Sequence, residues 1–444
     1  MRLSPTTLTG LPVGIATPGY DRDAQPIGIV HFGIGAFHRA HQAWYTDLAM
    51  NAGESGWAIC GVSMRSASVA EQLNPQGGLY SLTERGGGRA DTSIIGAVRE
   101  VLVAPDTPDA VIARIASPDC HIVSFTVTEK GYARAADGSL DLMLAAKSFY
   151  PLLTAALEQR QAQGLSGLTL MSCDNLSGNG QALARLMHDW LEAKAPALID
   201  WFDANCACPE TMIDRIVPAT TDEDRIMLEK KLGMRDEGAV LTESFSQWVI
   251  EDRFAGPRPR WENHGAQLVA EVAPYETAKL RMLNGAHSML AYCGLARGLT
   301  YVHEAVADAE LKALATDLML KEAAPTIDAA PEQDLPAYAA SLIDRFAEPS
   351  IQHRLAQIAM DGSQKIPQRW LETVKAQQEA GNACPSITAA FEAWIAHLED
   401  GTLVNDPHGE ELTAVVRDKG REGLLDHLFN TSGIFAGLPC PVAR

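Results

Sequence analysis

The run Ile27-Gly28-Ile29-Val30-His31-Phe32, closed by Gly33-Ile34-Gly35, is the feature that most limits what this chain can become. Six mainly apolar residues make a buried strand, and two glycines one residue apart let the backbone turn sharply into a following helix. Residues 37–50 have the spacing of that helix, and residues 57–62 read as a second buried strand. Strand, glycine turn, helix, strand opens a βαβ unit, whose two strands lie parallel in one sheet. Further apolar runs at 121–127 and 168–171, separated by helix-length stretches such as 142–163, continue the alternation. The expectation is an α/β domain, a parallel sheet wrapped by helices.

Beyond Pro274 the texture changes. Residues 275–295, 305–323 and 387–398 have helical spacing, and strand-like runs nearly vanish after a short one at 267–272. At 444 residues the chain exceeds what one core organises, so a boundary is placed near 270. Residues 1–270 form the sheet domain and 271–444 a mostly α-helical one. The first 26 residues, rich in Pro, Thr and Gly, read as an irregular lead-in, and the three glycines between Arg85 and Arg89 as a surface turn.

A formal charge of -20 without any Lys/Arg-rich run disfavours nucleic acid and anionic membranes as partners. Eight cysteines lack the paired spacing of a zinc site; only Cys206 and Cys208 lie close, and one intervening residue is an awkward chelate. No basic-then-apolar leader and no bilayer-length apolar run is present, so the chain reads as cytoplasmic with reduced thiols.

Two segments carry candidate chemistry. Gly33 and Gly35 sit where a strand meets a helix N-terminus, the place where a backbone without Cβ atoms can approach a pyrophosphate, although His38 stands in place of the usual third glycine. A plain tight turn uses the same Gly-x-Gly pattern. After the second strand comes Ser63-Met64-Arg65-Ser66, with no acid to hold an adenosine ribose. Arg65 fits a 2′-phosphate, adenine stacking or simple solvent exposure, so NAD and NADP both stay open.

The second segment is Pro274 to His287. At about 100° per residue, Lys279, Asn284 and His287 share an arc of roughly 140°, with Glu276 one turn before the lysine. Oxidising a secondary alcohol needs a base for the hydroxyl proton, donors for the developing oxyanion, and a hydride acceptor. A lysine with a lowered pKa, an amide and an imidazole can supply the first two without zinc. A solvated helix face with one hydrogen-bonded histidine would give the same spacing. Asn284-Gly285 also resembles a helix end, but Met289, Leu290 and Tyr292 carry the periodicity onward.

Taken together, these segments resemble the polyol-specific long-chain dehydrogenases, the family of mannitol 2-dehydrogenase and fructuronate reductase. The resemblance rests on Ile29 through Gln42, Thr126-Val127-Thr128-Glu129-Lys130-Gly131-Tyr132, Ser172-Cys173-Asp174-Asn175-Leu176, Asp214 through Thr220, and the Lys279–His287 stretch, in family order over nearly the whole chain. It implies an N-terminal Rossmann-like dinucleotide-binding domain followed by a mostly helical substrate and catalytic domain, a nicotinamide cofactor and no metal. It makes Lys279 the general base, Asn175 and Asn284 the amides that hold the reacting oxygen, and His287 an orienting group. Glu276 becomes a proton relay and Asp214 an acid near the lysine. The cofactor segment comprises Ile29, Gly33, Gly35, Ala36, Phe37, His38 and Arg39, with Arg65 and Thr128 beyond it. Asn175 also fits on its own terms, since it follows the end of an apolar strand, where open α/β sheets place ligands.

The mannitol branch of the family carries an arginine eight residues before a substrate-binding lysine; here the lysine corresponds to Lys365 and the earlier position is Gln357. The stretch from Ile358 to Arg369, and Val272 to Glu276, are closer to the fructuronate reductase branch. A hexuronate carboxylate needs a cation, and Lys365 or Arg369 supplies one, although Arg369 after Pro367 also fits a surface position opening a helix. The leading expectation is reversible reduction of D-fructuronate to D-mannonate. The same chemistry on a neutral polyol such as mannitol or arabinitol is the alternative, and a nucleotide-binding regulator without turnover is a third. A monomer is compatible with the resemblance.

Overall fold

The run that opens the sequence becomes the central strand of a sheet. In the computed structural model, which describes residues 1–442 apart from 136, 402 and 403, the strands are β1 (Ile27–Phe32), β2 (Ala58–Ser63), β3 (Tyr80–Gly86), β4 (Arg89–Ile95), β5 (Val98–Val103), β6 (Ile122–Phe125), β7 (Thr169–Ser172), β8 (Thr211–Asp214), β9 (Val240–Glu243), β10 (Gln247–Glu251) and β11 (Gln267–Val269). Five form a parallel sheet in the order β5-β2-β1-β6-β7. Ile29 pairs with Ile59 on one side and Ile122 on the other, and all three are fully buried. The chain winds outward from β1 in one direction and then starts again beside it with β6. The crevice past the carboxyl ends of β1 and β6 is therefore the switch point of a Rossmann-like sheet, where such folds bind ligands. Gly61 in β2 keeps that point open to the turn: a Cβ there would lie 2.7 Å from the Ile34 side chain.

Two three-stranded sheets, β4-β3-β9 and β11-β10-β8, complete this part of the chain. β3 and β4 form a hairpin closed by Gly87 and Gly88, both at positive φ, as a two-residue turn between twisted strands requires. By internal packing the chain separates into Met1–Val272 and Ala273–Arg444. The second unit is helical. Its central helix, Gly285–Ala296, is buried along Ala286, Met289, Leu290 and Ala291, and packs against helices Pro385–Asp400 and Leu355–Ile358. Among the described residues no helix is long and apolar enough to cross a membrane. All eight cysteines are free thiols.

Several sequence expectations are redrawn. The helix at 37–50 is two helices, Ala36–Ala40 and Gln42–Asn51, broken at His41, whose ring is wedged among Phe37, Tyr45 and Trp248. The stretch 142–163 is Leu142–Ala145 and Tyr150–Ala162, because Pro151 is tolerated only in a first helical turn. Residues 305–323 divide at Asp308, whose carboxylate caps a new helix through the amides of Glu310 and Leu311. The strand at 267–272 ends at Val269, and the lead-in contains a 3-10 helix, Pro5–Gly10.

A buried carboxylate fastens the lead-in. Asp47 accepts from the Tyr20 hydroxyl (2.6 Å), the Gly96 amide (2.7 Å) and the Asn51 side chain (2.8 Å). Burial pushes this carboxyl up to about 6 against the hydrogen bonds that favour its ionised form. The folded protein therefore holds a proton here at pH values where the unfolded chain has lost it. Asp47's contribution is full below about pH 4 and lost as the pH rises through 6, on the order of 2–3 kcal/mol. Asp47→Asn should remove that component. Thermal midpoints measured at pH 4.5 and 7 should then differ by a smaller pH-driven fall in the variant, and an unchanged difference would contradict the assignment.

Candidate active site

At the end of β1 the chain turns within a space that admits no side chain. Gly33 has φ +93°, and a Cβ on it would lie 2.1 Å from the Thr126 carbonyl oxygen just past β6. Gly35 is the reverse: a Cβ there would meet nothing nearer than the Gly33 carbonyl at 3.8 Å, so the space before it is open. Gly35 leads into helix Ala36–Ala40, whose first amides have no intrahelical acceptor. A crowded first glycine, an open second one and free amides at a switch point fit the pyrophosphate of a dinucleotide.

Ile29, His38 and Arg39 of this segment turn inward, whereas Ala36 and Phe37 are half-buried. Ile29 is part of the core. The Arg39 guanidinium is buried, bonding the carbonyl of Gly238 and lying 5.5 Å from the centre of the Tyr80 ring. The His38 ring stacks on His31 at 3.4 Å. Arg65 is exposed beyond β2.

Thr128 and Asn175 are brought together. An open pocket of about 470 Å³ at the ends of β6 and β7 is lined by Thr128, Glu129, Lys130, Asp174 and Asn175. Asp174 builds it: its carboxylate accepts from the amides of Val127 (2.9 Å) and Thr128 (3.0 Å) and from the Tyr132 hydroxyl (2.9 Å). Burial pushes this carboxyl up, and these donors pull it back. Thr128 is thereby held at φ +63°, ψ +165°, a region that β-branched residues avoid. Asn179 fixes the other side, bonding the Asp174 carbonyl and the backbone of Thr211 in β8, the strand that ends at Asp214.

In the second unit, Glu276 lies on helix Ala273–Ala278, and Lys279–Asn284 is wound as a π-helix leading into Gly285–Ala296. This changes the geometry expected from 3.6-residue spacing. Five residues of α-helix would set Lys279 and Asn284 about 140° apart, whereas residues five apart in a π-helix are joined by one backbone hydrogen bond, which brings the two much closer to one line along the axis. Lys279 is buried.

His287 follows Asn284 by one α-turn. Its ring packs 4.5 Å from Phe346 and edge-on to His353 at 5.3 Å. Burial, then the neighbouring His353, Arg345 and Arg369, hold this imidazole well below its usual pKa, and so neutral. Arg369 donates to the Ser288 hydroxyl at 2.7 Å and reaches within 3.5 Å of the Asn284 carbonyl. Burial lowers its guanidinium to about 10. Lys365 donates to the Met360 carbonyl at 2.6 Å and lies 3.6 Å from Asp361; burial and then Arg369 lower it too. Asn284, His287, Ser288, Lys365 and Arg369 thus form one neighbourhood. Among the described residues no three His, Cys, Asp or Glu side chains gather as a metal site.

The two units coincide with two family models: residues 27–263 match the mannitol dehydrogenase Rossmann domain and residues 271–441 the mannitol dehydrogenase C-terminal domain. The chain belongs to the mannitol dehydrogenase family. It is 39% identical to D-mannonate oxidoreductase of Escherichia coli (strain K12), over 97% of this chain and 93% of that one. To mannitol 2-dehydrogenase of Phaeosphaeria nodorum it is 37% identical, over 90% and 75%. The crystal structure of Pseudomonas fluorescens mannitol 2-dehydrogenase, a ternary complex with NAD and D-mannitol, superposes with a TM-score of 0.80 at 34% identity, covering 94% of this chain and 89% of that one. This mannitol dehydrogenase family member is accordingly an oxidoreductase of secondary alcohols on sugars or sugar acids.

Within this family frame, sequence reasoning passed over Asp174, Ser288 and His353. Asp174 looks like a turn residue, and its function is visible only when the amides of 127 and 128 meet it. Ser288 had a signal, one turn beyond Asn284 on the same helix. Thr128 offers a test of the strain Asp174 imposes. Thr128→Gly should raise the urea midpoint by an amount worth about 1 kcal/mol, since glycine adopts this φ without steric cost; a lower midpoint would mean that the threonine side chain itself braces the loop.

Proposed function

We propose that this protein reversibly reduces D-fructuronate to D-mannonate with NAD(H) and without a metal, residues 1–270 holding the cofactor and residues 271–444 the reacting sugar acid. The observation that carries the substrate is Arg369, a guanidinium buried against Ser288 beside Asn284, with Lys365 one helical turn before it. Two cations in a partly dehydrated neighbourhood favour a carboxylate, which Arg can bind with two parallel hydrogen bonds. The likeness to D-mannonate oxidoreductase supports the same substrate class, and the NAD complex of the Pseudomonas fluorescens relative supports the cofactor.

When bound, the nicotinamide carries the hydride that adds to the C5 carbonyl carbon. As electrons move onto the carbonyl oxygen, the side-chain amide of Asn284 donates a hydrogen bond to it, strongest for the developing alkoxide, and the family resemblance gives Asn175 the same role. Lys279 Nζ, as an ammonium, passes its proton to that oxygen, so that one hydride and one proton complete the two-electron reduction of the ketone. Glu276 returns a proton to the amine from solvent, and the family resemblance makes Asp214 an acid near the lysine. Neutral His287 orients the sugar through a ring nitrogen. In the oxidative direction the amine of Lys279 takes the hydroxyl proton.

The loop after β2 carries Arg65 and Ser66 and no carboxylate, so NADPH is tested beside NADH. Cofactor oxidation followed by absorbance near neutral pH, with D-fructuronate and D-fructose in parallel, decides the substrate: oxidation with fructuronate alone is expected, and oxidation with fructose alone would move the protein to neutral polyols. Lys279→Ala should lower kcat by about 10²- to 10⁴-fold while leaving cofactor affinity within about twofold; wild-type turnover would remove the base assignment. Arg369→Met should cut kcat/KM for fructuronate at least tenfold, roughly the loss of one charge-assisted hydrogen bond. Equal losses on a neutral ketose would argue against carboxylate recognition.

A further inference from the structure

Beneath the glycine turn lies a buried line of polar side chains that none of these roles uses. His31, in β1, places Nδ1 2.8 Å from Ser124 Oγ and Nε2 2.8 Å from Thr126 Oγ1. Ser124 Oγ is 2.6 Å from the Gln42 side-chain amide, and Thr126 Oγ1 donates to the Gly33 carbonyl at 2.7 Å. His31, Ser124 and Gln42 are buried, and the His38 ring covers one face of His31 at an interplanar angle of 15°.

Counting protons fixes the direction of this line. Thr126 has one hydroxyl proton, and the Gly33 carbonyl takes it, so His31 must donate from Nε2. An imidazole that also donated from Nδ1 would be a buried cation stacked on a second imidazole. Burial pushes the His31 pKa down to about 3, so the ring is neutral. Its Nδ1 is therefore an acceptor, and the Ser124 hydroxyl is the donor to it. Ser124 in turn receives the Gln42 amide N–H, once that amide is turned about its last bond. The turn exchanges the two ends of the amide, so that its oxygen takes the buried place in which the Gln42 nitrogen has no partner. The donors then run one way, from Gln42 through Ser124, His31 and Thr126 to the Gly33 carbonyl, with no proton missing or in excess.

The end of the line matters because the Gly33 carbonyl also accepts from the Gly35 amide at 2.6 Å. That carbonyl sets the plane of the peptide from which the turn departs. Glycine at φ +93° has alternative conformations close in energy, so the peptide plane must be held from outside. We propose that His31 and Thr126 are positioning residues for the dinucleotide, the one-way line locking the Gly33 peptide so that the amides entering helix Ala36–Ala40 face the pyrophosphate. Thr126 extends the same control forward: the next two amides, Val127 and Thr128, are those clamped by Asp174 beside Asn175. The inference rests on the glycine turn being the cofactor site.

The test is equilibrium binding of NADH to the full chain, followed by NADH fluorescence at 25 °C, beside the thermal midpoint of each cofactor-free protein. Thr126→Val should raise the NADH Kd about tenfold, the loss of one buried hydrogen bond, with kcat at saturating NADH within about threefold of wild type. Thr126→Ser, which keeps the hydroxyl, should bring Kd back to within about twofold. Ser124→Ala, three hydrogen bonds from the turn, should weaken NADH in the same direction and stands in if the valine variant fails to fold. A lower thermal midpoint with unchanged NADH Kd in both Thr126→Val and Ser124→Ala would overturn the proposal, because the line would then only support the fold. Wild-type protein that binds no NADH would overturn the cofactor reading and this inference with it.

Discussion

The approach of Gly33 to Thr126 is the contact on which the first unit is arranged. A Cβ at residue 33 would sit 2.1 Å from a backbone oxygen, so only glycine lets β1 and β6 end side by side and then part. The separation makes the switch point, and the ligand-facing loops belong to it: the turn after β1, the strained Thr128 after β6, and Asp174-Asn175 after β7. Asp174 joins the last two and Thr126 the first two, so three loops from three neighbouring strands are held to one another by side chains rather than by sheet pairing. Loops tied in this way can present polar groups at fixed positions without a sheet beneath them.

The second unit solves a comparable problem with helices. Lys279–Asn284, Leu318–Ala323 and Pro367–Leu371 are each wound as π-helix, and the first packs against both others. A π turn carries an extra residue and shifts all later residues of its helix around the axis. Two such turns face each other where Arg369 reaches toward the Asn284 carbonyl and Ser288, so the winding that draws Lys279 toward the line of Asn284 lies against the turn that carries the guanidinium. π turns recur at functional sites because they are costly and persist only where neighbours fix them.

Burial and winding together decide which parts were legible in the sequence. Four of the five parallel strands were, because burial on both faces writes continuous apolar runs such as Ile27–Phe32; the edge strand β5, where Arg99 and Glu100 interrupt the run, was not. The short strands β8 to β10 were not, because four or five residues with mixed polarity resemble a loop. Helix breaks at His41 and before Tyr150 were missed where periodicity ran through a wedge of rings or a tolerated proline. Lys279, Asn284 and His287 lie on one continuous helical stretch, as their spacing suggested, but the π winding does not obey the helical period from which their common face was read. Asp174 and His31 were illegible: each acts through amides or hydroxyls that come near only when distant strands pair.

The electrostatics around Arg369 and Lys365 run against the chain as a whole. A protein with formal charge -20 repels anions at long range, yet Arg369 and Lys365 both have pKa values lowered by burial. A lowered pKa means that the cationic form costs free energy in that place, and an anion brought beside it returns that cost. Acids already nearby do this only in part: Asp361 stands 3.6 Å from the lysine, and Asp406 is occupied with the amide and hydroxyl of Ser363. Binding through such cations is short-ranged, because the field of the surrounding acidic surface is screened within about 8–10 Å in salt while a half-dehydrated guanidinium is not. An acidic surface and a cationic neighbourhood are then compatible, the first acting at long range and the second only at contact distance.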